Sequence, residues 1–161
     1  MRGFCTPSWS FQVGRMDWHA HVTVATVVED NGRFLLVEEF EDGKLVFNQP
    51  AGHLDPNESL IEGAVRETLE ETGWTVQIEG IVGIGLYTAP SNGVTYYRTA
   101  FHAKPIKHDA ARKLDEGIVR AVWMTPEEIR AQTTRMRSPL VPKVIEQYLA
   151  GHRYPLSMIF G

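Results

Sequence analysis

The stretch Gly52–Trp74, GHLDPNESLIEGAVRETLEETGW, decides how the chain folds around it. From Ser59 to Thr72 it carries no proline and a single early glycine, Gly63, so the spacing predicts a helix there. Ser59 suits the N-cap, because its hydroxyl can accept from an unpaired N–H of the first turn, and Gly73 can adopt the left-handed backbone that stops a helix. At about 100° per residue, Leu60, Ile61, Ala64, Val65, Thr68 and Leu69 share one half of the circumference and can pack on a sheet. Glu67, Glu70 and Glu71 cluster together, and this reading puts them on the opposite side. Three like charges on one face repel one another unless a hard cation reverses the sign. Carboxylate oxygens suit Mg²⁺ or Mn²⁺, and Mg²⁺ completes its shell with waters and substrate phosphates. A solvated acidic face is the plainer alternative.

Outward from this helix, strands and turns alternate. Val22, Val24, Thr26 and Val28 alternate as a half-buried strand requires, and Asp30-Asn31-Gly32 supplies turn residues before the return strand Phe34–Val37. Leu45–Phe47 reads as a short strand that Pro50 and Gly52 end. Ile81–Tyr87 and Thr95–Ala103 are predicted strands joined by Pro90-Ser91-Asn92-Gly93, and Val119–Met124 is another. Thr125-Pro126-Glu127-Glu128 has the order of a capping box with proline at the first helical position. Ser138-Pro139 opens a last helix that runs to Ala150 and that Gly151 can end. Without repeats or a linker, this order gives one α+β domain over residues 19–161, preceded by an extension, residues 1–18, of no clear period. Met16 is an alternative start.

The 161 residues suffice for one buried core. A net charge of -4 excludes a protein that coats nucleic acid through bulk electrostatics. It also sits oddly with phosphate binding, unless divalent cations lie between acidic side chains and the anion. Cys5 is the single cysteine, which excludes an intrachain disulfide and a cysteine-based zinc site. No run approaches the roughly 18 consecutive apolar residues of a membrane span. Met1–Arg15 lacks the apolar centre of a secretory signal, so a cytoplasmic protein is expected.

Gly52, Glu58, Arg66, Glu67, Glu70, Glu71, Gly73 and Trp74 stand at the offsets G-x5-E-x7-R-E-U-x-E-E-x-G-U, where U is bulky and apolar. The segment resembles the Nudix box, with Thr68 the one departure, at a bulky apolar position where it affects packing rather than chemistry. The resemblance implies an α/β/α sandwich with a mixed central sheet, and a Mg²⁺-dependent hydrolase (Mn²⁺ possible) of phosphoanhydride bonds. It makes Glu70 and Glu71 the principal metal ligands. Glu67 becomes a further ligand or the base that activates water, oriented by Arg66. Glu58 supports the loop, and the Gly52 carbonyl completes the metal shell. The cations would screen phosphate charge, acidify an attacking water and stabilise the leaving oxygen.

His21–Glu39, Asn48–Leu54, Arg137–Val141 (RSPLV) and Arg153–Ile159 (RYPLSMI) are similar to one bacterial phosphatase subfamily of that family. This implies release of orthophosphate from nucleoside tri- and diphosphates, and from hydroxymethylpyrimidine diphosphate and thiamine diphosphate. Other Nudix specificities remain alternatives: ADP-ribose, dinucleoside polyphosphates or oxidised nucleotides. So does a non-catalytic nucleotide sensor, against which the complete glutamate set argues. The four-cysteine ribbon and SQPWPFPQS array of NADH pyrophosphatases are absent from the sequence.

Outside the box, Glu116 precedes a strand where many Nudix enzymes place another catalytic glutamate; a solvated turn residue is the alternative. His53 and Asp55 open the box and would meet phosphate or water, or are ordinary loop polarity. Asn48 and Gln49 precede them. Arg98 and Lys104 would clamp a phosphate, and Tyr87, Tyr96, Tyr97 and Phe101 offer stacking surfaces or fill the core. His152, Arg153 and Tyr154 cap the site or pack on the sheet. The expected partner is a small diphosphate-containing substrate, with the chain a monomer or a homodimer.

Overall fold

Asn31 and Gly32 take φ of 50° and 76°, the paired left-handed conformations of a tight hairpin, and join β1 (His21–Asp30) to β2 (Arg33–Glu41). Asp42 and Gly43, at 48° and 74°, repeat the device between β2 and β3 (Lys44–Asn48). The computed structural model describes residues 18–160. Of the expected extension only Trp18 is therefore described; Cys5 and Met16 lie outside the described residues.

Thr23 to Val28 are all buried, so β1 is a central strand covered on both faces, not the half-buried strand its alternation suggested. It runs parallel to β6 (Thr95–His108) and antiparallel to β4 (Ala51–His53). β3 ends at Asn48, before Pro50, but a further short strand not expected from the sequence, β4, follows at once and takes in Gly52. Proline lacks only a donor, and the Pro50 carbonyl accepts from Thr26 N–H at 3.0 Å, so pairing with β1 starts there and runs through Ala51–His53.

The helix α1 (Leu60–Thr72) matches expectation at both ends. Ser59 and Glu62 form a reciprocal capping box, and Gly73 caps the other end at φ 72°. β5 (Trp74–Thr88) then begins at once, well before Ile81. The signal was present: Val76, Ile78 and Gly80 are buried while Gln77 and Glu79 are exposed. β6 likewise runs past Ala103 to His108, its Pro105 opposite a register shift in β5. The strand order is β3-β2-β1-β6-β5, with β4 beside β1 and β7 (Ile118–Met124) beside β2.

Helix α1 covers one face, where Ala64 joins Val24, Val28, Leu35 and Phe101. α2 (Pro126–Ala131) and α3 (Leu140–Leu149) cover the other, with Ile129, Val141, Val144 and Ile145 over Val27, Leu36 and Val82. This is the α/β/α sandwich with a mixed sheet. No helix among the described residues is long and apolar enough to cross a membrane.

Candidate active site

The phase of α1 differs from its reading on paper. Its buried residues are Gly63, Ala64, Glu67, Thr68, Glu71 and Thr72, while Val65 and Leu69 are only half-buried. At about 100° per residue, Glu71 falls between Leu60 and Ala64, so Glu71 lies within the packing stripe and Glu67 at its edge, not opposite it. Thr68 is wholly buried and satisfied: its hydroxyl donates to the Ala64 carbonyl at 2.7 Å and lies 2.8 Å from the Thr26 hydroxyl. That contact ties α1 to β1.

Arg66 is the hub. Its Nε and Nη2 donate to the two oxygens of Glu58 at 2.7 and 2.8 Å, and Nη1 donates to Glu67 Oε1 at 2.8 Å and Glu70 Oε2 at 3.0 Å. Nη2 also donates to the His53 carbonyl at 3.0 Å, and Asp55 lies 3.6 Å from Nε. The Arg66 bonds hold the Glu58 carboxyl below the usual range, and those same bonds, led by Glu58, raise the guanidinium further. Glu67 behaves in the opposite way. Burial raises its pKa despite Arg66, and Glu70 and Asp115 add to the rise.

Glu71 is deeper still, 8% exposed, with Oε2 accepting from Ala51 N–H at 2.9 Å. Burial pushes its pKa to about 8; the Ala51 bond opposes this, and the charges of Glu39 and Glu67 add to it. Gly52 is needed beside these acids. A Cβ there would overlap the carboxylate of Glu67, which lies against the Gly52 backbone.

Among the described residues, no three His, Cys, Asp or Glu side chains converge as a ready cation cage. Glu67 and Glu70 face Arg66, and Glu71 faces a backbone N–H. The donor set still fits a hard divalent ion. Glu58, Glu67, Glu70 and Asp55 surround one guanidinium, leaving carboxylate oxygens in excess, and oxygens are what Mg²⁺ or Mn²⁺ takes. Glu116 is exposed in the turn before β7, whereas its neighbour Asp115 donates its N–H to the Glu70 carbonyl at 3.1 Å.

On the α3 side of the sheet, Ala51 and Gly52 border a cavity of about 190 Å³. His53, Arg98 and Tyr87, singled out separately in the sequence, all line it, as do Asn48 and Tyr96. Arg98 reaches Asn48 Oδ1 at 3.4 Å. Burial, and then the like charge of Arg137, lower the pKa of Arg98 to about 10. His53 Nε2 lies 3.0 Å from His21 Nδ1, and burial followed by His21 lowers its pKa. Lys104 lies elsewhere, paired with Glu79, Tyr97 borders a different cavity, and Phe101 fills the core. Asp55 joins the Arg66 cluster and Gln49 is buried, donating to the Val141 carbonyl at 2.7 Å. Tyr154 packs on the sheet by pairing with Ile81.

A family model described as the NUDIX domain matches residues 17–144. The chain belongs to the Nudix family. As a Nudix hydrolase it acts on phosphoanhydride bonds. It is 42% identical over 139 residues to the phosphatase NudJ of Escherichia coli strain K12, across 86% of this chain and 90% of that protein. A solved Nudix hydrolase from Nitrosomonas europaea is 48% identical, superposes with a TM-score of 0.87, and covers 89% of this chain and 97% of its own. A C. elegans Ap4A hydrolase at 21% identity and a TM-score of 0.66, covering 81% of this chain and 96% of its own, shares the Nudix fold alone.

Sequence reasoning missed Glu39 and Arg137. Glu39 is 7% exposed at the end of β2, and Arg137 Nη1 donates to its Oε2 at 2.8 Å. Two glutamates ending an apolar strand run were a visible signal, since a carboxylate is seldom buried unless paired. Arg137 stood in the RSPLV segment with no partner assigned. Only the fold brings the two together.

Proposed function

We propose that the chain is a Mg²⁺-dependent phosphohydrolase, with Mn²⁺ an acceptable substitute, that releases orthophosphate from nucleoside tri- and diphosphates. We extend the reading to hydroxymethylpyrimidine diphosphate and thiamine diphosphate. The observation that carries it is the excess of carboxylates about Arg66, with buried Glu71 beside them, packed behind Ala51 and Gly52, which border a cavity that holds Arg98. Similarity to NudJ, a phosphatase, supports the orthophosphate product.

Glu70, Glu71 and the Gly52 carbonyl would hold the divalent ion, with Glu67 a further ligand or the base, and the ion would supply charge screening at the phosphate and acidify water. The chain's own residues do the rest. Arg66 fixes the rotamers of Glu67 and Glu70 through its paired donors. As the base rather than a ligand, Glu67 would take a proton from water, its pKa raised by burial; Glu116, exposed in the nearby turn, is the second candidate for that role. Arg98 meets substrate phosphate, and Tyr87 and His53 shape the place of the group that carries it.

The test is a panel of nucleotides, nucleotide sugars and thiamine-pathway diphosphates incubated with purified protein and Mg²⁺, with orthophosphate and pyrophosphate assayed separately. Orthophosphate from both tri- and diphosphates is expected. Pyrophosphate release or sugar-nucleotide cleavage assigns another Nudix specificity. Binding without turnover assigns a sensor.

A further inference from the structure

The cavity beside β4 is lined by two arginines, Arg98 and Arg137, and two carboxylates, Glu41 and Asp42, yet Arg98 pairs with neither carboxylate. Arg98 enters from β6, opposite Thr23 of β1 and Gly85 of β5. Its Nε is buried with no hydrogen-bond partner, its Nη1 has only the long 3.4 Å contact to Asn48, and among the described residues it makes no ion pair. A buried guanidinium donor left unmade is costly, and the ordinary remedy is an anion.

Arg137 borders the same cavity but is fixed from behind. Nη1 donates to Glu39 at 2.8 Å, Nη2 pairs with Glu41 at 3.1 Å, and the backbone N–H donates to the Phe47 carbonyl at 2.9 Å. Glu39 and Glu41 therefore work as positioning residues. They hold Arg137 beside Arg98 despite like charge. Two planar forks of N–H donors around one small space match an oxyanion that can accept in pairs, such as a phosphoryl group. At about 190 Å³ the cavity is smaller than the roughly 300 Å³ that begins to enclose a drug-sized ligand, so it takes part of a substrate.

We propose that Arg98 and Arg137 form an anion clamp that needs no metal, and that an uncleaved phosphoryl group of the substrate lies between them. The anion's identity rests on the phosphohydrolase reading; the site does not. The clamp raises specificity through binding, while the glutamates of α1 act on the bond that breaks.

The experiment titrates the full chain with inorganic pyrophosphate in excess chelator, by calorimetry. Wild-type protein and Glu71→Gln are expected to bind, because the clamp lies outside the metal ligands. Arg98→Met and Arg137→Met are each expected to weaken binding about 10-fold or more, as for a lost charge-assisted hydrogen bond. Arg98→Lys, which retains the buried charge, covers the case in which Arg98→Met does not fold; it too is expected to bind more weakly, for want of the planar fork. Absence of pyrophosphate binding to metal-free wild type overturns the clamp, as does unchanged affinity in folded Arg98→Lys and Arg137→Met. Failure of the two readings is separable. A protein that binds pyrophosphate in chelator yet hydrolyses nothing keeps the clamp and loses the enzymatic assignment. Hydrolysis with unchanged KM in both arginine variants does the reverse.

Discussion

Around Arg66 one guanidinium faces four carboxylates, those of Asp55, Glu58, Glu67 and Glu70. Across β4, Arg98 and Arg137 line a cavity with Glu41 and Asp42; Arg137 pairs with Glu41 and with Glu39 behind it, and Arg98 with no carboxylate among the described residues. One region carries surplus negative charge and the other an unpaired positive one, separated by the backbone of Ala51 and Gly52. On the function proposed, the acidic region takes a cation and the chemistry it supports, and the basic region takes the anion. A polyphosphate laid across β4 satisfies both.

The comparison breaks hardest at the acidic end. Glu71→Gln and Glu70→Gln are each expected to lower Mg²⁺-supported turnover by orders of magnitude, with the melting temperature not lowered, because a neutral amide removes a ligand but keeps the shape. Phosphate release and a thermal melt measure the two effects, and near-normal turnover in either variant would refute the ligand assignment. Gly52→Ala tests the boundary. The new Cβ collides with the Glu67 carboxylate, so turnover is expected to fall, and overpacking is expected to destabilise the fold by about 1–3 kcal/mol in urea titration.

At the basic end effects are smaller and fall on binding. Tyr87→Ala is expected to raise KM about 2- to 10-fold with kcat nearly unchanged, the scale of one lost aromatic contact. A fall in kcat at constant KM contradicts its place as a binding wall. The smallest effect comes from the strand next to both regions. Glu38 accepts from Arg120 at 2.7 Å and Arg135 at 2.6 Å, and the Arg120 bond leads in lowering its pKa below the ordinary 4.5. The unfolded chain therefore takes the proton first as pH falls. The stability Glu38 contributes is present above about pH 4.5 and fades below it. Glu38→Gln is expected to cost about 1 kcal/mol at pH 7 and progressively less towards pH 3, read from denaturant midpoints, with turnover unaffected.

Much of the acidic region was legible in the residues alone. The offsets from Gly52 to Trp74 name its members, and Ser59, Glu62 and Gly73 fix the helix that carries them. What misled was the angular reading. Placing Glu67 and Glu71 opposite the apolar stripe assumed that acids avoid the packed side, yet one is 9% exposed and the other 8%. Strand β4 was hidden because Pro50 and Gly52 look like breakers, and the early start of β5 because Gly73 and Trp74 read as a helix end alone.

The family, the helix with its caps and the identity of the acids can be read from the residues alone, because all lie within the one stretch from Gly52 to Trp74, a loop and the helix that follows it. Only the tertiary structure decided the basic cavity. Arg98 meets Asn48 across 50 residues and Arg137 meets Glu39 across 98, distances over which no periodicity links one side chain to another. Such pairs exist only once β1 lies between β4 and β6 and the segment at Arg137 pairs with β3. The physical reason is range: helical geometry acts within a few residues, while charge and burial act between whatever the folded sheet brings together.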